Sequence, residues 1–242
     1  MSDHIIEARR QFLRYTMGSA LVAGVTGSSV LPALVHAMGK IPEQLIAGKS
    51  IYDMRGTVFV DGKLANEDTY ISANSLVETG RNSYVVFVIG FDAHILRDNS
   101  RVQFKGKDNV EESLRLATGK LLSVFGARSG GAVHQVQTST ATIGIRGTGL
   151  YVESEEDLSY ACTCYGNVNI VADADPQQQE NVIATHHDSP RYIGKGGGYS
   201  QLITPAPMKN HTDEELMLVE QLVGRKPAFS TLKSYTAPRK GY

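Results

Sequence analysis

Tryptophan is absent from the 242 residues, cysteine occurs only twice, and neither sign of charge prevails, with 24 Lys and Arg against 25 Asp and Glu. Each shortage excludes something. Two cysteines cannot build a disulfide framework. A balanced charge leaves no cationic excess to neutralise phosphates, so no nucleic acid is expected as a partner. No Cys-x-x-Cys-His run is present to attach a c-type haem. The glycine-rich GIRGTG at 144–149 is followed by no Walker lysine, which argues against a phosphate loop. No Ser-His-Asp order, paired acidic motif or Cys-x-x-Cys at a helix start is evident, so no catalytic residues are assigned and an enzyme is not expected. What the chain does contain is 41% hydrophobic residues and 24 glycines, enough for one globular domain with tails.

The first segment reads as an address. Residues 7–37, EARRQFLRYTMGSALVAGVTGSSVLPALVHA, run from a basic start through an uncharged stretch, Tyr15 to Val35, to small residues at Ala37. That is the order of n-region, h-region and cleavage site. The paired Arg9 and Arg10, followed by Phe12 and Leu13, resemble a twin-arginine (Tat) signal. Cleavage after Ala37 is expected, which places the mature protein in the periplasm. The alternatives are a retained membrane anchor, the only connection to a membrane that the sequence offers, and a short amphipathic or buried helix.

From residue 51 the chain breaks into short apolar runs divided by Asp-Gly, Gly-Arg-Asn, Asp-Asn-Ser and Ala-Asp-Pro. Strand-length runs at such spacing predict an all-β sandwich or roll. In SYVVFVIG, at 83–90, apolar side chains fall on both faces, which predicts a central strand. The expected boundaries are a signal at 1–37, a linker at 38–50, a β domain at 51–193, a Gly/Pro linker at 194–211, and a helix with an extended tail at 212–242. Thr212 with Glu215 forms a capping-box pattern, Gly224 and Arg225 suit the helix end, and Leu216, Val219, Leu222 and Val223 share one face.

Three stretches carry a family resemblance: NSYVVFVIGFDAHILRDNSRVQF (82–104), LRLATGKLLSVFG (114–126) and TSTATIGIRGTGLYVE (138–153). Together they resemble the periplasmic FecR domain, with Ile145-Arg146-Gly147-Thr148 the most recognisable segment. The resemblance implies hairpins wound into a FecR-like β-roll or sandwich; the partner expected for such a protein is an envelope protein or membrane complex. No single motif of the family binds a cofactor. In GIRGTG the glycines permit close backbone approaches, and Arg146 has donors to tie neighbouring carbonyls or carboxylates together; receiving an anion is its functional alternative.

Cys162 and Cys164 stand two apart in YACTCYG, so on a strand they share a face, with backbones about 6.5 to 7 Å apart. A turn at Ala174-Asp175-Pro176 returns ENVIATHHD antiparallel, bringing His186 and His187 opposite residues 165–167. Adjacent histidines point to opposite faces of an ideal strand, so both can ligate only if the strand ends or bulges at His187. Cys162, Cys164, His186 and His187 are therefore the expected metal ligands. Two thiolates and two imidazoles suit zinc, or a two-iron, two-sulfur (2Fe-2S) cluster with two Cys on one iron and two His on the other; copper(I) is a third candidate. The competing readings are a strained disulfide and two buried free thiols. The expected function is a non-enzymatic periplasmic protein with a metal or iron-sulfur centre, serving electron transfer or an accessory role in an envelope complex. The alternative is a metal-free envelope module recognising a protein or glycan.

Overall fold

The protein is described by a computed structural model over residues 45, 48–128, 134–197, 200–233 and 235; the signal-like segment 1–37 lies outside the described residues. Among the described residues no helix is long and apolar enough to cross a membrane. Among the described residues fourteen strands form one continuous sheet, and a single α-helix lies near their C-terminal end.

Three long strands give the sheet its shape: β8 (Val110–Val124), β10 (Ala141–Ser154) and β11 (Leu158–Ala172). Each has a positive-φ glycine at or inside it, Gly119, Gly147 and Gly166, and near that glycine it exchanges one set of neighbours for another. The bent strands thus belong to two layers. In one layer the order is β1 (Ile51–Arg55), β5 (Tyr84–Ile89), β6 (Asp92–Leu96), the second half of β8, the second half of β10, the first half of β11, β13 (Arg191–Gly194) and β14 (Ile203–Pro205). In the other it is β3 (Lys63–Leu64), β2 (Val58–Val60), β4 (Leu76–Thr79), β7 (Arg101–Lys107), the first half of β8, β9 (His134–Gln137), the first half of β10, the second half of β11 and β12 (Gln179–Ala184). All pairings are antiparallel except β8 with β9.

The glycine at the bend of β11 is required by contact as well as by φ. A Cβ on Gly166, at φ +97, would stand 2.4 Å from Thr148 Cγ2 and 2.8 Å from the Gly147 carbonyl. Alternating side chains of both layers make one contiguous core, including Val85, Phe87, Leu121 and Val152 from the first and Val102, Leu116, Ile143 and Ile170 from the second. As its two apolar faces predicted, β5 is an interior strand, flanked by β1 and β6.

The outer face of the first layer is apolar too. Val86, Ile95, Leu122, Tyr151 and Cys162 are register partners in a row across five strands, and all are buried. Their cover is the helix α1 (Asp213–Leu222), which lies against β6 and β8 with Leu216, Val219 and Leu222 buried. Its capping box forms as the sequence pattern required: Thr212 Oγ1 accepts from the Glu215 N–H at 3.3 Å, and Glu215 accepts from the Thr212 N–H at 2.9 Å. The same carboxylate receives Arg97, the residue after β6, on both oxygens at 2.9 Å. The stretch 194–211, expected as a linker, contributes β14 to the sheet edge, paired with β13.

Arg146 departs from expectation. It is exposed on β10 opposite Asn167 and makes no side-chain hydrogen bond among the described residues. The close approach of β10 and β11 is organised by Gly149, whose Cβ would meet the Tyr165 ring at 2.5 Å, while the Thr148 carbonyl ties β10 to the end of β8 by accepting from the Phe125 N–H.

Candidate metal centre

The hairpin expected from the turn at 174–176 is present, with β11 and β12 antiparallel in the register Val171↔Gln179 to Gly166↔Ala184. Beyond it the His187 N–H donates to the Cys164 carbonyl at 2.9 Å. The strand ends at Ala184, and Asp188 accepts from the N–H groups of Thr185 and His186, so the chain turns there with His187 at φ +55. This break sends the two imidazoles different ways. His187 faces the cysteines; His186 is turned from them, lies 2.9 Å from both oxygens of Asp213, and stacks on Phe229.

The ligand group around the two cysteines therefore differs by one residue from the expected set. It comprises Cys162, Cys164, His187 and His211, all buried, with one ligand atom of each within 4.8 Å of the others. His211 takes the place expected for His186. It arrives from the residue before the N-cap of α1, stacked at 4.5 Å on Tyr151, which is itself the register partner of Cys162. Its spacing from the other three follows no standard motif. The one sequence clue was position, a histidine abutting a strong helix start. Cys162 and Cys164 are free thiols on one face of β11, which leaves the disulfide reading without support.

The tautomers follow from what each ring touches. His211 Nδ1 is 2.6 Å from the Lys209 carbonyl, which can only accept, so that nitrogen carries the proton. His187 Nε2 is 2.9 Å from Asp213 Oδ1, a carboxylate oxygen, and carries its proton for the same reason. In the neutral rings the remaining nitrogens, His211 Nε2 and His187 Nδ1, are bare lone pairs, and they face each other at 3.1 Å with Cys162 Sγ 3.4 Å from His187 Nδ1. Two lone pairs at that separation need a positive charge between them, either a proton on one ring or a metal ion. Ligating histidines characteristically give their second N–H to a carboxylate or a carbonyl, as both do here.

The thiols respond unequally. Burial pushes Cys162 up, but the Cys164 thiol and the His211 and His187 rings outweigh it and hold Cys162 well below the ordinary thiol range. Cys164 is raised well above that range by burial and by the neighbouring Cys162. Burial lowers His187, yet Asp213 and Cys162 override it and raise the ring. The pocket already favours one thiolate next to one imidazole.

A second buried cluster was not anticipated. Glu111 lies between two rings, with Oε2 3.0 Å from His94 Nε2 and Oε1 2.6 Å from His134 Nε2, while His94 Nδ1 is 2.9 Å from Ser123 Oγ. Burial raises Glu111, but the two imidazoles reverse this and hold it below the usual carboxylate range. Ser123, His94 and Glu111 copy the order of a catalytic triad, yet all three are at most 2% exposed among Phe87, Phe104 and Phe125. A hydroxyl so enclosed meets no substrate, and the cluster reads as a core network.

Residues 75–169 match the model of the FecR protein family. No curated protein matches the sequence. Two crystal structures of a "putative anti-sigma factor" from Parabacteroides distasonis ATCC 8503, at 2.50 and 1.65 Å resolution, are similar at 11% identity with a TM-score of 0.44. The similarity covers 54% of this chain and spans 58% of theirs. The family match contains Cys162 and Cys164 and stops before His186, His187 and His211. The stretch that matches the FecR family model runs from the residue before β4 to the second half of β11.

Proposed function

We propose that this is a non-enzymatic FecR-domain protein of the bacterial envelope, exported by the twin-arginine route, whose β body binds an envelope partner and whose C-terminal segment is fastened to that body by a metal ion. The ion is held by Cys162, Cys164, His187 and His211. The observation that carries this reading is the pair of bare imidazole nitrogens converging on one thiol with both opposite N–H groups already committed.

The spacing favours a single tetrahedral ion. Zinc bonds of about 2.3 Å to sulfur and about 2.05 Å to nitrogen place two nitrogens about 3.3 Å apart, and sulfur about 3.6 Å from nitrogen. The corresponding separations here are 3.1 and 3.4 Å. In a Rieske-type cluster the cysteines and the histidines sit on different irons, so a Cys sulfur and a His nitrogen stand farther apart than two ligands of one ion. A single closed Cys2His2 site points to a structural role rather than electron transfer. Three ligands come from the β body and one from the segment that leads into α1, so the ion would bridge the two.

For partner binding, three of the exposed apolar residues stand on or beside neighbouring turns. The turn after β5 touches the β7–β8 turn, where a Cβ on Gly90 would lie 2.3 Å from the Asn109 carbonyl, and Tyr70 is hydrogen-bonded to Asn109. Phe91, Tyr70 and Val110, exposed by 68, 47 and 42%, cluster there. Grouped apolar exposure of this kind suits a protein surface.

The second reading is the metal-free module, favoured by the raised His187, since a proton on that ring would also fill the gap between the nitrogens. Elemental analysis of the purified, exported protein decides between them. About one zinc per chain, lost in Cys162→Ser, supports the metal centre; wild-type protein without zinc, iron or copper above background leaves the metal-free module.

A further inference from the structure

Behind the Cys2His2 group lies a second converging set. Asp213, the first residue of α1, has a fully buried carboxylate, with Oδ1 2.9 Å from His187 Nε2 and both oxygens 2.9 Å from His186 Nε2. One ligand atom from each of the three residues lies within 4.8 Å of the other two. We propose that His186, His187 and Asp213 form a second cation site for a divalent transition ion, joined to the Cys2His2 centre through the two nitrogens of His187.

The donor set is two imidazoles and one carboxylate, which leaves open coordination positions and suits ions that take oxygen and nitrogen ligands in octahedral geometry. Adjacent ligands of an octahedral ion with bonds of about 2.1 Å stand about 3.0 Å apart, and the 2.9 Å contacts already have that spacing. Binding displaces the Nε2 protons of His186 and His187 to solvent, and His187, with Nδ1 on the first ion, becomes an imidazolate that bridges the two.

Charge points the same way. In the first centre two thiolates match the charge of a divalent ion, so that ion leaves the buried Asp213 carboxylate to its neighbours; a cation on the Asp213 side matches it directly. Access is on the His186 side, whose side chain is 9% exposed while those of His187 and Asp213 are enclosed. Phe229 beneath the His186 ring, at 4.5 Å and 23°, fixes its direction. The inference rests on the single-ion reading only through His187, whose Nδ1 belongs to that centre.

The test is a cobalt(II) titration of chelator-stripped full-length chain under reducing, oxygen-free conditions. Two equivalents are expected, one with intense thiolate-to-cobalt charge-transfer bands and one with the weak absorption of an octahedral oxygen and nitrogen site. His186→Phe keeps the stack on Phe229 and removes the ligand, and should weaken the second equivalent at least 100-fold while the charge-transfer bands persist. His186→Asn serves the same purpose if the larger ring disturbs folding, and circular dichroism checks both. Saturation of the wild-type chain at one equivalent that carries the charge-transfer bands overturns the proposal, as does a variant that still takes two. Absence of charge-transfer bands, with a weak equivalent that His186→Phe abolishes, would instead remove the Cys2His2 reading and leave this site standing.

Discussion

Replacing His211 by Phe isolates the metal contribution from packing. The His211 ring is 1% exposed and stacked on Tyr151 at 19°, so truncation to Ala would add a cavity cost of about 3 kcal/mol to any loss of ligation. Phenylalanine retains the stacked ring. It gives up the hydrogen bond to the Lys209 carbonyl, worth about 1 kcal/mol, and the ligand nitrogen. A structural zinc site of four ligands contributes about 10 to 16 kcal/mol, so one ligand accounts for about 3 kcal/mol, or roughly 100-fold in affinity. At free zinc 1,000 times the wild-type Kd, the ion stabilises the fold by about 4.1 kcal/mol; a 100-fold weaker site gains about 1.4 kcal/mol under the same conditions. Urea unfolding with and without zinc measures both quantities. The expected result is a metal-free stability within about 1.5 kcal/mol of wild type, with the zinc increment reduced by about two thirds. An undiminished zinc increment in His211→Phe would refute the assignment of His211 as a ligand.

Other parts of the fold make separate predictions. Glu111 has a depressed folded-state carboxylate, so its contribution is present above the ordinary carboxylate value of 4.5 and is lost as the pH falls towards about 2. Acid titration of stability should show that loss, and Glu111→Gln should abolish its share while costing about 3 kcal/mol at neutral pH by leaving two buried imidazoles without their carboxylate. Arg97→Met should cost about 3 to 5 kcal/mol, because it strands the buried Glu215 at the start of α1, and a second Glu215→Met change should recover part of this; an additive double mutant would argue against the coupling. Gly166→Ala should lower stability by at least about 1 to 3 kcal/mol in thermal unfolding, since no ordinary side chain fits its φ or the space beside Thr148; a neutral effect would contradict the close crossing of β10 and β11.

Much of this was legible locally. The capping box at Thr212 and Glu215, the interior strand at 84–89 and the hairpin closed by Ala174-Asp175-Pro176 each follow from residues near one another in sequence, whose backbone preferences the tertiary structure did not override. The hairpin brought His187 to the cysteines, though in a register shifted by two residues from the expected one, with Gly166 opposite Ala184 and the His187 N–H on the Cys164 carbonyl.

The choice between the two adjacent histidines was not local. An ideal strand offers one side chain to each face, and which ring reached the cysteines depended on the turn at Asp188 and on Asp213 and Phe229, which arrive with the C-terminal segment. The same holds for His211, which stands 47 residues after Cys164 (211 − 164) and meets it only because α1 covers the outer face of β6 and β8. The His94–Glu111–His134 network likewise joins β6, β8 and β9, with no spacing to announce it. The sequence by itself determined the β class, the helix and the cysteine-bearing hairpin, since periodicity, turn chemistry and capping act over a few residues. Only the tertiary structure decided the ligand set, because a ligand is chosen by where an unsatisfied lone pair ends up after long-range packing, and that packing has no short-range signature.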